Sequence, residues 1–375
     1  MNKLSDAFNQ PVDRRSQHAL KWVKYPEDVL PMWVADSDYK TSSAIQERLA
    51  NLAQKGNFGY QLAEHTPELN DAVVSWLSRR HNWEIESDWL IWIPGIMSAV
   101  NTCCQLFANG QLYIQTPNYY PLLNLGDSHN LPVSYHKTIR TESDWKLDMD
   151  KLAADIRNNR EGLLILTNPM NPCGSVQTKE SLQRIADLCE EYNVTLCSDE
   201  VHCDLILDDM PHIPAGSLDA FRNRSITVMS ASKAFNVAGL ATAYAIIPNP
   251  KLRKQFYDHT IRKQLWVNSF GMEATIGAYT ESDDWFEAQR EHLRTNRDYL
   301  DKSINAIDGL GYMPSPATYL AWIDAAGLGV QDPYQHFLDR KVGFSGGKEF
   351  GDPGYVRMNF ACPKSNLEEA IRRMS

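Results

Sequence analysis

The chain lacks the cysteine spacings that hold a metal ion or a disulfide framework. Its seven cysteines include no C-x-x-C pair, and several lie inside apolar runs, where a free thiol behaves as a small hydrophobic side chain. No stretch of 18 apolar residues occurs, and residues 1–15 contain no apolar core of signal-peptide length. These absences predict a cytoplasmic protein with no membrane association, no bound metal and no disulfide bonds.

Long runs of one charge are also missing. The chain has 37 basic and 47 acidic residues, which gives a formal net charge of -10 at pH 7. An acidic, evenly patterned chain argues against a nucleic-acid or anionic-membrane surface. Internal repeats, low-complexity tracts and long Gly/Ser linkers are absent, and 375 residues exceed the usual size of one hydrophobic core. We therefore expect one large domain and a smaller one.

Short apolar runs alternate with amphipathic segments through the middle of the chain. The runs predicted as strands are 90–93, 112–115, 163–167, 194–198, 226–230 and 243–247. Helices are predicted between them, for example over 97–108 and 179–192. Strands that are apolar throughout and separated by helices favour a mostly parallel sheet covered by helices on both faces. The predicted fold class is therefore α/β.

The predicted domain boundary lies in the 270s, where the chain leads into a charged helical stretch over 285–307. The strands predicted after this stretch are 319–323 and 355–360. We expect a large domain over residues 46–274. Residues 1–45 and 275–375 are expected to form an N-terminal segment and a small α+β domain.

Polar side chains follow three of the predicted strands. They are Asn168 and Asn171 after the run 163–167, Asp199 after the run 194–198, and Ser230, Ser232 and Lys233 after the run 226–229. Ligands of open α/β sheets bind beyond the carboxyl ends of the strands, so these groups are expected to converge. Each group alone has an ordinary explanation, namely an Asn-Pro turn, a helix cap or a lysine in a polar turn. Together they supply the amine, acid and amide that pyridoxal phosphate requires.

Several motifs run in order along almost the whole chain. They are LPMWVADSD over 30–38, NPMNPCG over 168–174, SDEVHCD over 198–204, SASK over 230–233 continuing as AFNVAG to 239, and YVRMNFACP over 355–363. Their order resembles the fold-type I pyridoxal-phosphate enzymes of the class I and II aminotransferase superfamily. The closer resemblance is to the MalY/PatB group of cystathionine β-lyases, or C–S lyases. This resemblance implies a pyridoxal 5′-phosphate cofactor, an amino-acid substrate and a homodimer with shared active sites.

The resemblance also implies a role for each residue of the predicted site. Lys233 would form the Schiff base with the cofactor and later act as the catalytic acid and base. Asp199 would pair with the pyridine nitrogen, and Asn171 would donate to the ring phenolate. Tyr119 would stack on the ring, and the planar fork of Arg357 would bind the substrate carboxylate. The ordinary alternatives are a core aromatic for Tyr119 and a surface salt bridge for Arg357.

His202 lies three positions after Asp199, where many aminotransferases have a tyrosine that faces the same phenolate oxygen. This difference favours a C–S β-lyase that cleaves cystathionine or cysteine-type β-thio amino acids to pyruvate, ammonia and a thiol. An aminotransferase of amino acids is the alternative, because both reactions begin with removal of the same α proton. A regulatory protein of the MalY type with secondary lyase activity is the second alternative.

The phosphate of the cofactor is expected at the start of the helix that follows the first predicted strand. Gly95, Ile96 and Met97 open this helix, where free backbone amides and the helix dipole favour a dianion. Ser230 and Ser232 are expected to add hydroxyl donors.

Two further positions bear on the phosphate. The resemblance implies that Tyr60 of one subunit reaches the phosphate bound by the neighbouring subunit. Ala241 stands where many superfamily members have a phosphate-binding arginine, eight residues after the lysine. Either the site lacks that charge or another residue supplies it.

Overall fold

The computed structural model describes residues 6–375. Its strands, numbered in chain order, are β1 (Leu30–Pro31), β2 (Leu90–Ile93), β3 (Leu112–Thr116), β4 (Val133–Arg140), β5 (Trp145–Leu147), β6 (Gly162–Thr167), β7 (Val194–Asp199), β8 (Ser225–Met229), β9 (Ala243–Ile246), β10 (Gly311–Tyr312), β11 (Leu320–Asp324), β12 (Val342–Gly343), β13 (Ser345–Gly346) and β14 (Tyr355–Asn359).

The α-helices are numbered in the same way. They are α1 (Leu20–Val23), α2 (Ser43–Lys55), α3 (Pro67–His81), α4 (Ile96–Phe107), α5 (Tyr120–Leu123), α6 (Leu125–His129), α7 (Met149–Asn159), α8 (Lys179–Tyr192), α9 (Pro250–Arg262), α10 (Ser269–Glu281), α11 (Asp283–Ile304), α12 (Pro333–Asp339) and α13 (Lys364–Met374). No helix in the part of the chain that the structure describes is long and apolar enough to cross a membrane.

The six strands predicted in the middle of the chain lie in one eight-stranded sheet in the order β2-β9-β8-β7-β6-β3-β4-β5, in which β4 and β5 are the two strands that were not predicted. The five strands β8, β7, β6, β3 and β4 pair in parallel. β9 runs antiparallel to both β2 and β8, and β5 runs antiparallel to β4. This arrangement confirms the predicted α/β fold with a mostly parallel sheet.

Helices cover both faces of the large sheet. On one face, Leu182 and Ile185 of α8 are fully buried in one apolar cluster with Leu164 and Leu196 of the sheet. On the other face, α4 packs its buried apolar side chains against the opposite side of the same strands. Each fully buried leucine or isoleucine contributes roughly 1.5–3 kcal/mol, so the apolar periodicity of these helices determines which side they present to the sheet.

A second sheet, in the order β10-β11-β14-β13, is antiparallel throughout. The short strand β1 pairs in parallel with β12, which brings the N-terminal segment against the C-terminal part of the chain. The predicted domain limits, 46–274 for the large domain and 1–45 with 275–375 for the remainder, stay a prediction. Residues 1–5 lie outside the described part of the chain.

Candidate active site

A cavity of about 630 Å³ opens at the carboxyl edge of the large sheet, within the range of roughly 300–1,000 Å³ that small-molecule sites occupy. The predicted site residues that line it are Gly95, Ile96, Met97, Tyr119, Asn171, Asp199, His202, Ser230, Ser232, Lys233 and Arg357. The structure therefore brings together side chains that lie far apart in the sequence. Tyr60 is the predicted residue that does not line the cavity.

Lys233 lies in the turn after β8, and its Nζ donates a hydrogen bond of 2.9 Å to the carbonyl of Ala35. The hydroxyl of Tyr319 donates to the same carbonyl at 3.0 Å. Burial, followed by the positive charge of Arg357, lowers the pKa of Lys233, while nearby carboxylates act in the opposite direction. A lowered pKa raises the fraction of neutral amine, the form that attacks a carbonyl carbon and accepts a proton.

Asp199 is the last residue of β7 and is only 6% exposed. One of its carboxylate oxygens accepts a hydrogen bond of 3.2 Å from the backbone amide of Val201. Burial raises the pKa of Asp199 to about 6, although the Val201 hydrogen bond and the Lys233 charge lower it. A cationic group bound inside the cavity would stabilise the ionised form of this carboxylate, because opposite charges attract.

Arg357 lies in β14 and is 5% exposed. Its Nη1 donates to Asn171 Oδ1 at 2.8 Å, and its Nη2 donates to the carbonyl of Trp33 at 2.7 Å and to Ser345 Oγ at 3.3 Å. Its guanidinium carbon lies 4.6 Å from the ring centroid of Phe350. Burial lowers the pKa of Arg357 to about 10. It is not a surface salt bridge, because it forms no ion pair within the described residues.

The hydrogen bond from Arg357 fixes the orientation of the Asn171 amide. Asn171 Oδ1 accepts the hydrogen bond from the guanidinium, so the Nδ2 hydrogens of Asn171 remain available as donors. His202 is also buried, and burial lowers its pKa well below the usual value, so the imidazole is neutral. Its Nδ1 has no hydrogen-bond partner within residues 6–375. Both side chains therefore keep unused hydrogen-bonding capacity at the cavity.

The start of α4 supplies backbone amides to the cavity. Gly95 precedes the helix with φ of 102°, a conformation that favours glycine, and no side chain caps the helix. The first amides of the helix, including that of Ile96, lack intrahelical partners and favour an anion. Ser230 Oγ already donates to the carbonyl of Thr242 at 2.6 Å and accepts from the amide of Ser232 at 3.0 Å. The Ser230 hydroxyl therefore shapes the turn, and Ser232 is the better placed of the two serines to donate to a ligand.

No described residue that lines the cavity supplies the positive charge of the arginine that many superfamily members have at the position of Ala241. Ala241 has φ of 45° and lines the cavity, where the described cationic side chains are Lys233 and Arg357. Tyr60 is 94% exposed and packs edge to face on Trp266, with ring centroids 5.5 Å apart. Its expected contact with a phosphate needs a second subunit and stays a prediction.

Two buried carboxylate–imidazole pairs hold the loop that carries Asp199 and His202, and the sequence reasoning missed both. Glu200 Oε2 lies 2.7 Å from His212 Nε2, and Asp204 Oδ1 lies 2.8 Å from His81 Nε2. The motif over 198–204 contains both acids, since Glu200 and Asp204 lie in it beside Asp199.

The pair of Asp204 and His81, together with Cys203, has side chains of the types that bind metal ions. Cys203, His81 and Asp204 place their ligand atoms within 4.8 Å of one another. Burial raises the pKa of the Cys203 thiol well above its usual value, whereas a metal binds the thiolate. We therefore interpret the group as a structural anchor, and the expected absence of a metal stays a prediction.

The N-terminal segment contributes main-chain carbonyls that no side-chain motif could reveal. The carbonyl of Ala35 accepts from Lys233, and that of Trp33 accepts from Arg357. Asn359 donates to the carbonyls of Val34 and Asp36 in the same segment. Residues 33–36 are therefore held against the cavity by the site residues themselves.

A sequence-family model described as aminotransferase class I and II matches residues 28–374, which include every predicted site residue. The chain belongs to the class I and II aminotransferase family. It is 30% identical to cystathionine β-lyase PatB of Bacillus subtilis (strain 168) over 382 residues, which cover 98% of each protein. These matches confirm the predicted family and its MalY/PatB resemblance.

Solved structures agree with this assignment. The crystal structure of OvoB is 37% identical, with a TM-score of 0.93 and coverage of 98% of this chain and 97% of that one. The pyridoxal-phosphate-bound C–S lyase of Staphylococcus hominis is 27% identical, with a TM-score of 0.89 and coverage of 98% and 96%. The fold of this family member is therefore the fold-type I architecture that the resemblance implied.

The residues present fit pyridoxal phosphate. The cavity contains an amine with a lowered pKa, a buried carboxylate for the ring nitrogen and an amide donor for the ring oxygen. The uncapped start of α4 fits the phosphate. The buried Nδ1 of His202 and Nε of Arg357 lack partners within the described chain, as expected of atoms that serve a ligand.

Proposed function

We propose that the protein is a pyridoxal-phosphate-dependent C–S β-lyase that cleaves cystathionine and related β-thio amino acids to pyruvate, ammonia and a thiol. The observation that carries the proposal is Arg357, a buried guanidinium without an ionic partner in the described chain, in one cavity with Lys233 and Asp199. His202 in place of the tyrosine of many aminotransferases, together with the lyase names of relatives, favours C–S cleavage over transamination.

Four side chains would hold the cofactor. Lys233 would bind it covalently, Asp199 would keep its pyridine nitrogen protonated, and Asn171 and His202 would hydrogen-bond its ring oxygen. When bound, pyridoxal phosphate supplies an electron sink for the negative charge that develops at the substrate α carbon.

The remaining steps belong to this chain's own side chains. Arg357 binds the α-carboxylate of the substrate and thereby orients the α proton toward Lys233. Lys233 Nζ removes this proton, which its lowered pKa favours because it raises the fraction of neutral amine. Burial raises the pKa of Tyr119, so its hydroxyl stays protonated beside the reacting atoms. The electron pair left at the α carbon then forms a double bond to the β carbon as the bond from the β carbon to sulfur breaks, and the sulfur leaves as a thiolate. Hydrolysis of the resulting enamine by water gives pyruvate and ammonia.

We also propose that two copies of the chain form a homodimer in which Tyr60 reaches the phosphate of the partner. The support is an exposed apolar group around Tyr60: Phe58 is 57% exposed, and Leu62 and Trp266 are exposed as well. Contiguous exposed apolar surface of this kind is typical of interaction sites. A cytoplasmic location is part of the proposal, because all seven cysteines are free and reducing conditions keep thiols in that state.

The test incubates the purified, cofactor-loaded protein with cystathionine and, separately, with cysteine. Pyruvate, thiol and cofactor absorbance are measured in the same reaction. A lyase releases pyruvate and thiol in equal amounts, and the Lys233→Ala variant releases neither. Conversion of the cofactor to its amine form, with a keto acid that keeps the side chain, would instead identify an aminotransferase. The absence of both products refutes the proposal.

A further inference from the structure

An unpaired acid lies at the mouth of the cavity. Glu349 belongs to the short 3₁₀ turn Gly347–Phe350, lines the cavity and is exposed. It forms no hydrogen bond or ion pair with another described residue. The residue that follows in the turn, Phe350, is buried beneath the Arg357 guanidinium, and the charge of Glu349 acts on Arg357, so the turn holds Glu349 next to the predicted carboxylate clamp.

The charges that line the cavity are distributed unevenly. The two cations, Lys233 and Arg357, are both assigned to the reacting end of the substrate. Asp199 is buried and Glu349 is exposed, so Glu349 is the charged side chain that faces solvent among the described lining residues. Lys24 lies outside the lining, with its ammonium 3.9 Å from the ring centroid of Trp33. The mouth therefore presents a negative charge to whatever part of the substrate reaches it.

The surroundings of Glu349 are largely apolar and aromatic. Leu20 is 65% exposed, Tyr120 is 49% exposed, and both line the cavity, as do Trp33 and Phe350. A carboxylate beside low-dielectric walls attracts an opposite charge more strongly than a carboxylate in open solvent. Because Arg357 is assigned to the α-carboxylate of the substrate, we expect the group attached to sulfur to extend toward the mouth of the cavity.

We propose that Glu349 binds an ammonium group at the far end of the substrate's leaving group, so that the enzyme prefers β-thio amino acids with a cationic leaving group over those with an anionic one. This inference rests on the proposed lyase function and specifies its substrate class. A leaving group that ends in a carboxylate alone would meet the charge of Glu349, because the two lining cations, Lys233 and Arg357, are assigned to the reacting end of the substrate.

The test compares S-(2-aminoethyl)-L-cysteine with S-carboxymethyl-L-cysteine, which have leaving groups of similar length and opposite charge. We expect kcat/KM for the aminoethyl substrate to exceed that for the carboxymethyl substrate by about tenfold at low salt. E349Q should reduce this ratio to within about twofold of unity, and E349K should reverse it. E142Q, which removes the same charge at an exposed position outside the cavity, should leave the ratio unchanged.

Binding of thiols that resemble the products gives a second readout. Isothermal titration of the cofactor-loaded protein with the quaternary thiol (2-mercaptoethyl)trimethylammonium, whose nitrogen cannot condense with the cofactor, and with thioglycolate should show the same preference and its loss in E349Q. A ratio that E349Q does not change, in either measurement, overturns the role of Glu349 while the lyase function stands. Release of pyruvate from cystathionine or cysteine but from neither charged test compound refutes the inference alone, whereas no release from any of these substrates refutes the lyase proposal and with it the inference.

Discussion

Replacement of Arg357 by lysine tests the carboxylate clamp while keeping a positive charge in the cavity. An arginine side chain has five N–H groups, and three of them are occupied by Asn171, Trp33 and Ser345. Two N–H groups therefore remain for the α-carboxylate of a substrate. Nε is one of them, since it is buried and has no partner in the described chain.

The expected loss follows from this count. A hydrogen bond to a charged group contributes about 1.5–3 kcal/mol, and a lysine ammonium can keep only one of the two bonds to the carboxylate in a fixed geometry. Loss of one such bond lowers kcat/KM by about 10- to 150-fold at 1.36 kcal/mol per factor of ten. Because the carboxylate is bound in the ground state as well as in the transition state, most of the change should appear as a higher KM.

The assay measures pyruvate release from cystathionine by R357K and by R140K. Arg140 is the matched control because its ion pair with Asp324, at 3.5 Å, is partly exposed and should contribute little. Cofactor absorbance checks that R357K still binds pyridoxal phosphate. A KM for R357K within twofold of the wild-type value would refute the assignment of Arg357 as the carboxylate clamp.

Three further predictions concern the residues that support the site. Burial raises the pKa of Asp199 from its ordinary value near 3.8 to about 6 in the folded protein. The free energy of unfolding of the cofactor-free protein should therefore fall as the pH rises from about 4 through 6, by up to about 3 kcal/mol. Urea unfolding should show that Asp199→Asn removes this part of the pH dependence. If the unfolding free energies of the wild-type protein and the variant change equally with pH, the raised pKa of Asp199 is contradicted. In Gly95→Ala the added Cβ has no atom within 4 Å, but the alanine must adopt φ of 102°. The substitution should therefore lower the free energy of unfolding by about 1–3 kcal/mol and weaken cofactor binding. Fluorescence titration with pyridoxal phosphate measures the affinity, and unchanged affinity would exclude a role for this turn. His212→Leu should lower the free energy of unfolding by about 1–3 kcal/mol, because Glu200 loses its partner at 2.7 Å. Exposed His65→Leu is the control, and equal unfolding midpoints for the two variants would contradict the anchoring role.

The parallel core of the large sheet could be predicted because its strands are buried on both faces. β6 and β7 are buried at all six of their positions, so each appears in the sequence as a short continuous apolar run. β4 was missed because it is exposed at several positions and carries polar side chains such as His136 and Lys137. β5 has three residues, too few to show a period.

The side chains gathered in the cavity could be predicted for a related reason. Lys233, Asp199 and Asn171 follow neighbouring strands, and the carboxyl ends of those strands share one edge. The carbonyls of Trp33 and Ala35 could not be predicted, because a main-chain acceptor leaves no trace in residue type. Whether the Ser230 hydroxyl is free also depends on a contact made by Thr242, which only the folded chain shows.

The hydrogen bond between Arg357 and the carbonyl of Trp33 joins residues separated by 324 positions. A contact between residues so far apart in the sequence forms at a large cost in chain entropy, because a long loop must close. Proteins dominated by such contacts fold slowly. During synthesis, the amine of Lys233 and the acid of Asp199 leave the ribosome well before the arginine does. A nascent chain therefore contains the groups proposed to hold the cofactor before it contains the proposed carboxylate clamp. On this proposal, discrimination between substrates would be acquired at the end of folding, when the two distant segments meet.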